Sequence, residues 1–288
     1  MQHTKCLITQ AEDLYPLKGY EKNYLVKSKS SGFVFCSKIP TEEEILNHYN
    51  NYPIGYGADS AITTIRINEV LDEFEKFRKT NKMLDVGCGP GLFLIEAKKR
   101  GWEVYGTEFT DKQLNYLKDK GINPLKGKLT NASFEDELFD VIISSEVIEH
   151  INKPVEEMHQ FHRLLRKGGL VYITTPNFNA IERFLLKGDY NIIEYPEHLC
   201  YYTPKTIHLL LTQSGFKKLK ITTTGISIAQ IKKSLKRKKK ETTENVASDE
   251  ALREQLETGY KRHLKSFING LLNFFGIGNS LKAWYVKV

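Results

Sequence analysis

The chain has 288 residues, 40% hydrophobic and 27% charged, with a formal net charge of +7. That size and balance fit one medium globular domain with additions, and no stretch approaches the roughly 18 apolar residues of a membrane span. Residues 232–240, KKSLKRKKK, carry seven Lys/Arg and no acid, which accounts for the whole charge excess. A basic nucleic-acid-binding face spread over the fold is therefore not supported.

The start, MQHTKCLITQAEDLY, lacks a basic segment followed by an apolar run, so no signal peptide is expected. Four scattered cysteines without a C-x-x-C pair favour reduced thiols and a cytoplasmic setting. Residues 1–40 read as short extended pieces, YLVKSK and GFVFCSKIP. Thr41-Glu42-Glu43-Glu44 has the capping-box pattern, and a short helix EEEILNHYNNY should follow. After the loop PIGYGADS, residues 61–78 predict an amphipathic helix with Ile62, Ile65, Val70, Leu71 and Phe74 inward.

The core then alternates. Strand 83–86 leads to helix 91–100, and strand 102–107 to helix 111–119. A short strand near 123–126 precedes strand 139–144 and helix 153–166. Strand 170–175, helix 204–214 and strand 216–223 follow. Such alternation predicts a parallel sheet with helices on both faces, with ligands at the carboxyl ends of the strands. Residues 226–278 break the rhythm with the basic run, a polar link and a helical stretch holding Leu264, Phe267, Ile268, Leu271, Leu272, Phe274 and Phe275. That stripe predicts packing on the sheet; a lipophilic acceptor pocket or a membrane contact are the alternatives. The basic run reads as a solvated face, or as a contact for RNA or anionic lipid. SLKAWYVKV closes the chain as a strand.

The stretch that organises the chain is KMLDVGCGPGLFL, residues 82–94. Apolar residues surround Asp85, and a glycine-dense turn, Gly87-Cys88-Gly89-Pro90-Gly91, leads into a helical pattern. Glycines let a ligand approach the main chain closely, and a helix start offers unpaired N–H groups.

These pieces together resemble class I S-adenosylmethionine (SAM) dependent methyltransferases. The carriers are LDVGCGPG, the acid in YGTEF, FDVIISSEVIEHI, LLRKGGLVYITTPN and YPEHLCYYTPKTIHLLLTQSGF, in that order. The resemblance implies an α/β, Rossmann-like doubly wound seven-stranded sheet with the last strand antiparallel. To this are added a small N-terminal β/helical cap and a helical insertion before the last strand. The expected boundaries are 1–58 for the cap, 59–225 for the core, 226–278 for the insertion and 279–288 for the final strand. It also implies a cofactor set: Asp85 near the methionine amino group, Gly87, Cys88, Gly89 and Gly91 along the cofactor, and Glu108 accepting from the ribose hydroxyls. Phe109 and Ser145 complete it. Relatives often read adenine with an acid after the third strand, where this chain has Lys128. A lysine cannot accept that bond, so the contact is expected from backbone at Leu129 or from another side chain.

The N-terminus resembles the zinc ribbon that begins some bacterial methyltransferases of sugars and small molecules. Cys6, Thr9, Ser28 and Ser31 occupy the four ligand positions. Three thiolates are missing, and tetrahedral zinc needs four Cys or His ligands. A vestigial ribbon without zinc is expected, with an unrelated β unit as the alternative.

Glu146, Glu149 and His150 follow the fourth core strand, and His198 follows the fifth. E-x-x-E-H resembles the pattern of metal-assisted O-methyltransferases. The four residues are candidate ligands of a divalent metal; His150 or His198 is alternatively a catalytic base, or all four are structural. Tyr49, Tyr52 and Tyr56, and likewise Tyr201 and Tyr202, are candidates for a lid or for packing. The resulting expectation is a SAM-dependent O-methyltransferase of a small molecule or glycan precursor. RNA 2′-O-methylation, or a non-catalytic partner protein with the SAM fold, are the alternatives. The acceptor and the oligomeric state are not legible in the residues.

Overall fold

A strand with apolar residues on both of its faces needs cover on both, and β7 (Phe139–Ser145) has it. Ile142 points into one core, with Met158, Phe161, Ile207, Leu210 and Tyr285. Val141 and Ile143 point into a second, with Ile67, Leu71, Phe74 and Trp102. The alternation is the two-residue period of a strand. Phe139 lies beyond a register shift and joins the first core. The structure, a computed structural model, describes residues 2–41, 43–45, 61–122, 124–131, 133–227 and 260–288, without side chains at 260–265. Tyr49, Tyr52, Tyr56, most of the helix expected after Thr41 and the basic run 232–240 lie outside the described residues.

Around β7 the parallel strands are β4 (Lys82–Val86), β5 (Glu103–Glu108), β6 (Leu125–Lys126) and β8 (Leu165–Pro176). β10 (Phe216–Thr224) and β11 (Ser280–Lys287) complete a seven-stranded sheet in the order β10-β11-β8-β7-β4-β5-β6. The last strand in sequence, β11, runs antiparallel between β8 and β10, as the resemblance implied. One face carries α1 (Ala61–Phe74) and α2 (Leu92–Lys99). The other carries α4 (Pro154–Leu164) and α6 (Pro204–Gln213). α3 (Asp111–Asp119) links β5 to β6, α5 (Ile181–Leu186) follows β8, and α7 (Tyr260–Phe275) precedes β11.

At the N-terminus, β1 (Leu14–Pro16), β2 (Leu25–Ser28) and β3 (Val34–Cys36) form an antiparallel sheet. Its fourth strand, β9 (Cys200–Tyr201), comes from far along the chain. Tyr201 and Tyr202 are buried there, with the Tyr202 ring 5.2 Å from that of Phe33, so they pack and form no lid. The capping box is present: Glu44 accepts from the Thr41 N–H at 2.8 Å, and Thr41 Oγ1 accepts from the Glu44 N–H at 3.1 Å.

Two local expectations change. In α1, Ile65 is exposed and Ile67 takes the inward position beside Leu71 and Phe74. β8 begins at Leu165 rather than at 170, because Leu165 pairs with Phe139 before the register shifts to Leu170 against Val141. Asp140 explains that early start. Fully buried, it accepts N–H groups of Lys79, Thr80 and Asn81 at 2.7, 2.7 and 2.8 Å. Its other oxygen takes the Arg166 guanidinium, which also donates to Phe77 O. Burial works to raise this carboxyl, but Arg166 and the amides outweigh it and hold it below the usual value.

Removing one partner of a buried pair leaves the other uncompensated. Asp140→Asn should cost about 3–5 kcal/mol in denaturant unfolding near neutral pH. Because the folded carboxyl is depressed, its contribution is present above the unfolded value of about 3.9 and is lost as pH falls through the lower folded value. The stability difference between wild type and Asp140→Asn should therefore shrink on acidification.

Candidate active site

The glycine turn between β4 and α2 is built from three left-handed residues, Gly87, Gly89 and Gly91, at φ of 66°, 50° and 69°. A Cβ at Gly87 would meet Val147 Cγ2 at 2.8 Å, and one at Gly91 would meet Leu117 Cδ2 at 2.3 Å. Gly89 differs: a Cβ there would meet nothing within 4 Å. Two glycines thus fit the turn against the protein, and the middle one faces open space. Thr107 anchors the turn to β5, since its Oγ1 accepts from the Gly87 N–H at 3.1 Å and its carbonyl from the Cys88 N–H at 2.9 Å. Burial, then Asp85 and Glu108, push the Cys88 thiol far up, so it remains a thiol.

Parallel neighbours bring two acids to this edge. Asp85, near the end of β4, is almost wholly buried, and burial followed by the charge of Glu108 pushes its carboxyl up to about 8. Glu108, at the end of β5, is satisfied by nearby loops. Its Oε2 accepts from the Gly89 N–H at 3.0 Å, and its Oε1 from the N–H groups of Phe109 and Thr110 at 2.7 and 2.9 Å. Phe109 is half exposed beside it. Leu129, expected nearby, keeps its side chain in the core, while Lys128 is exposed.

The segment after β7 supplies the second group. Ser145 Oγ lies 3.0 Å from Thr174 Oγ1, which in turn donates to Glu146 Oε1 at 2.8 Å. Glu146 adopts a left-handed φ of 55°. It stays accessible to solvent, yet crowding strips its hydration and raises its carboxyl, against the opposing Thr174 hydroxyl and Lys282 charge. A 3-10 turn, Ile148–His150, then turns Glu149 inward. Glu149 is buried and accepts from Thr175 Oγ1 at 2.9 Å; burial, then Glu146, raises it well above the ordinary value.

His150 and His198 meet edge to face, with ring centroids 4.8 Å apart. Each Nδ1 lies 2.8 Å from a backbone carbonyl, that of Glu197 for His150 and that of Ile192 for His198. Carbonyls only accept, so each ring carries its proton on Nδ1 and its orientation is set. His150 Nε2 lies 3.9 Å from Glu149 Oε1, and one ligand atom from each of Glu149, His150 and His198 falls within 4.8 Å of the others. Of the four residues expected together, Glu146 is the one not in this group; its carboxylate is taken by Thr174 instead.

The N-terminal sheet holds the His198 loop in place. The Leu199 N–H donates to Glu149 O at 2.7 Å, and Leu199 O accepts from the Cys36 N–H at 2.8 Å. Beside the same sheet the four ribbon positions also meet, with Thr9 and Ser31 both against the Cys6 thiol. Cys6 Sγ is 3.3 Å from Ser31 Oγ, the Ser31 N–H donates to Ser28 Oγ at 3.3 Å, and Ser28 Oγ donates to Asp13 at 2.8 Å. One thiol among hydroxyls does not match the donor set of tetrahedral zinc.

Thr107, Thr174 and Thr175 went unrecognised in the sequence. Their signal was present: each stands near the carboxyl end of a core strand, where an alternating pattern would allow another aliphatic residue.

A family profile described as a methyltransferase domain matches residues 63–221, more than half of the chain. A ubiquinone biosynthesis O-methyltransferase from Azoarcus sp. is 32% identical over 105 residues, 34% of this chain and 45% of the relative. One of the same name from Roseobacter denitrificans is 28% identical over 153 residues, 46% of this chain and 59% of the relative. The chain thus spans about half the length of these curated relatives. A SAM-dependent methyltransferase structure from Archaeoglobus fulgidus aligns over 78% of this chain and 93% of its own, with TM-score 0.54 and 18% identity, which establishes likeness of fold. With the sheet order, the glycine turn and a profile covering most of the parallel core in hand, the chain belongs to the methyltransferase domain family and has the class I SAM-dependent methyltransferase fold.

Proposed function

We propose that this chain is an enzyme that transfers the methyl group of SAM to a hydroxyl oxygen of a small molecule or glycan precursor. The observation that carries the reading is the open face of Gly89 beside the Glu108 carboxylate and the buried Asp85. SAM has a nucleoside with a ribose diol, a sulfonium and an ammonium group. The residues present fit it: an acceptor for the diol at Glu108, a glycine surface without side chains, and an acid at Asp85 whose charge no described cation offsets. When bound, SAM supplies an electrophilic methyl group. Asp85 would hold the ammonium, Glu108 would orient the ribose, and Ser145 and Phe109 would contact the cofactor. Methyl transfer is an in-line displacement, so holding the acceptor oxygen in line is the main catalytic effect.

Oxygen as the acceptor atom is favoured by the Glu149–His150–His198 cluster and by the printed names of the curated relatives. A hydroxyl must lose its proton as it attacks. The carboxylate and two imidazoles suit a divalent cation of the magnesium–manganese–iron series, and histidines oriented through Nδ1 by backbone carbonyls are the usual supporting arrangement for metal ligands. A bound cation there would acidify the acceptor hydroxyl. Without one, His150 Nε2, already turned toward Glu149, would take the proton.

Calorimetry with SAM tests the cofactor half of the reading. Glu108→Ala should weaken binding by about tenfold or more, the worth of hydrogen bonds to a charged group. Wild type that fails to bind SAM would leave a partner protein with the same fold.

Asp85 gives a second, signed prediction. A carboxyl raised to about 8 in the folded state favours folding while protonated, and that contribution is lost as pH rises from the unfolded value of about 3.9 toward 8. Ligand-free Asp85→Asn should therefore be more stable than wild type at pH about 8–9 by a few kcal/mol, at about 1.4 kcal/mol for each pH unit separating the folded and unfolded values. The gain should vanish near pH 4, and SAM affinity should fall.

The acceptor side is read by kinetics. His150→Ala and His198→Ala should lower kcat by about a hundredfold or more, with SAM affinity nearly unchanged. Loss of activity on chelation, restored by a divalent cation, assigns the cluster to a metal. Activity that survives chelation and both substitutions removes both roles.

A further inference from the structure

Leu272 apart, the described side chains of the α7 stripe face outward rather than onto the sheet, contrary to the sequence expectation. The polar side of the helix is the side that docks. Asn269 Oδ1 accepts from the Gly225 N–H at 3.0 Å, and Asn273 Oδ1 from the Thr223 N–H at 2.9 Å. Leu272 O accepts from Thr223 Oγ1 at 2.9 Å, and Leu272 is buried between them. These residues recur at helical spacing, so they form one face. The asparagines cap the open end of the edge strand β10, and that choice turns the apolar residues outward. Phe267 is 66% exposed and Phe274 83%, with Ile268, Leu271 and Phe275 exposed alongside.

Outward apolar residues spaced three, four and seven positions apart form a surface that water does not favour. Two features say what covers it. A cavity of about 390 Å³ opens beside the C-terminal end of α7, lined by Phe274 and Phe275 together with Lys205, Lys218 and His208, and no described acid lines it. Both lysines are exposed. Aromatic side chains flanked by lysines without acids match the interface of an anionic bilayer, where rings enter the acyl boundary and ammonium groups meet phosphates. The undescribed residues 228–259 carry no aromatic residue and are rich in charge, which makes them a poor match for this stripe.

We propose that the outward face of α7, with Lys205 and Lys218 at its end, docks this protein on an anionic lipid surface. The helix lies in the plane of the interface. No described helix is long and apolar enough to cross a membrane, which agrees with surface attachment.

The test is cosedimentation of the full chain with vesicles of phosphatidylcholine alone and of phosphatidylcholine with phosphatidylglycerol. Wild type should bind the anionic vesicles, weakly or not at all the neutral ones, and less as salt rises. The double substitution F274S/F275S should reduce binding by about tenfold or more, and K205Q/K218Q should remove most of the preference for anionic lipid. An unchanged thermal melt for each variant shows that it is folded. Three results overturn the proposal: no binding to anionic vesicles at low salt, binding that survives F274S/F275S and is lost on neutralising 232–240, or a self-association removed by F274S/F275S without vesicle binding. None of these outcomes depends on methyl transfer, so this inference and the proposed activity fail separately.

Discussion

The carboxyl end of the sheet gathers four carboxyl groups, three of them shielded from water. Asp85 and Glu149 are buried there, Glu108 is nearly so, and Glu146 is crowded. Removing a carboxylate from water is costly unless something replaces the lost hydration. At Glu108 the replacement comes from within the chain, through the amides of Gly89, Phe109 and Thr110. At Asp85 and Glu149 it falls short, and both are raised by burial. The folded chain therefore holds an electrostatic demand for a proton or a cation at this edge. The amino end of the same strands is the opposite case. Asp140 is just as deeply buried, but Arg166 and three amides satisfy it. At one end of β7 the buried acid is fully compensated; at the other, Asp85 and Glu149 are not.

That asymmetry explains why the N-terminal sheet matters. β9 belongs to the loop that carries His198, and it pairs with β3 rather than with the large sheet. Leu199 links Glu149 on one side to Cys36 on the other. The small sheet thus fixes the second histidine relative to the first, a distance that the parallel strands alone would not define. Its own interior is consistent with this bracing role. The hydroxyl and thiol groups of Cys6, Ser28 and Ser31 bond to one another and to Asp13, so the ribbon-like turn closes by hydrogen bonds.

Much of this was legible in the residues alone. The run FDVIIS reads as a strongly apolar strand, and the stretch after LDV as a tight glycine loop between strand and helix. The seven strands and their alternation with helices followed from such local patterns, because each pattern is set by neighbours in sequence. Other features depend on contacts between distant segments. Ile65 and Ile67 are equally apolar, and which one turns inward depends on the helix's rotation against α2 and the sheet. The early start of β8 depends on Asp140 reaching Arg166 across the sheet. Glu146 left the histidine cluster because Thr174, on a neighbouring strand, takes its carboxylate.

Periodicity, turn chemistry and side-chain type are local properties, so the order and type of the elements, the glycine turn, and the acids and histidines available for chemistry are written in the residues. Which of those groups meet is set by the packed fold. It gathered Glu149, His150 and His198 from two separate segments, buried Asp85 next to Glu108, and turned the apolar face of α7 outward. In each case the deciding contact joins residues distant in the chain, and no local pattern carries that information.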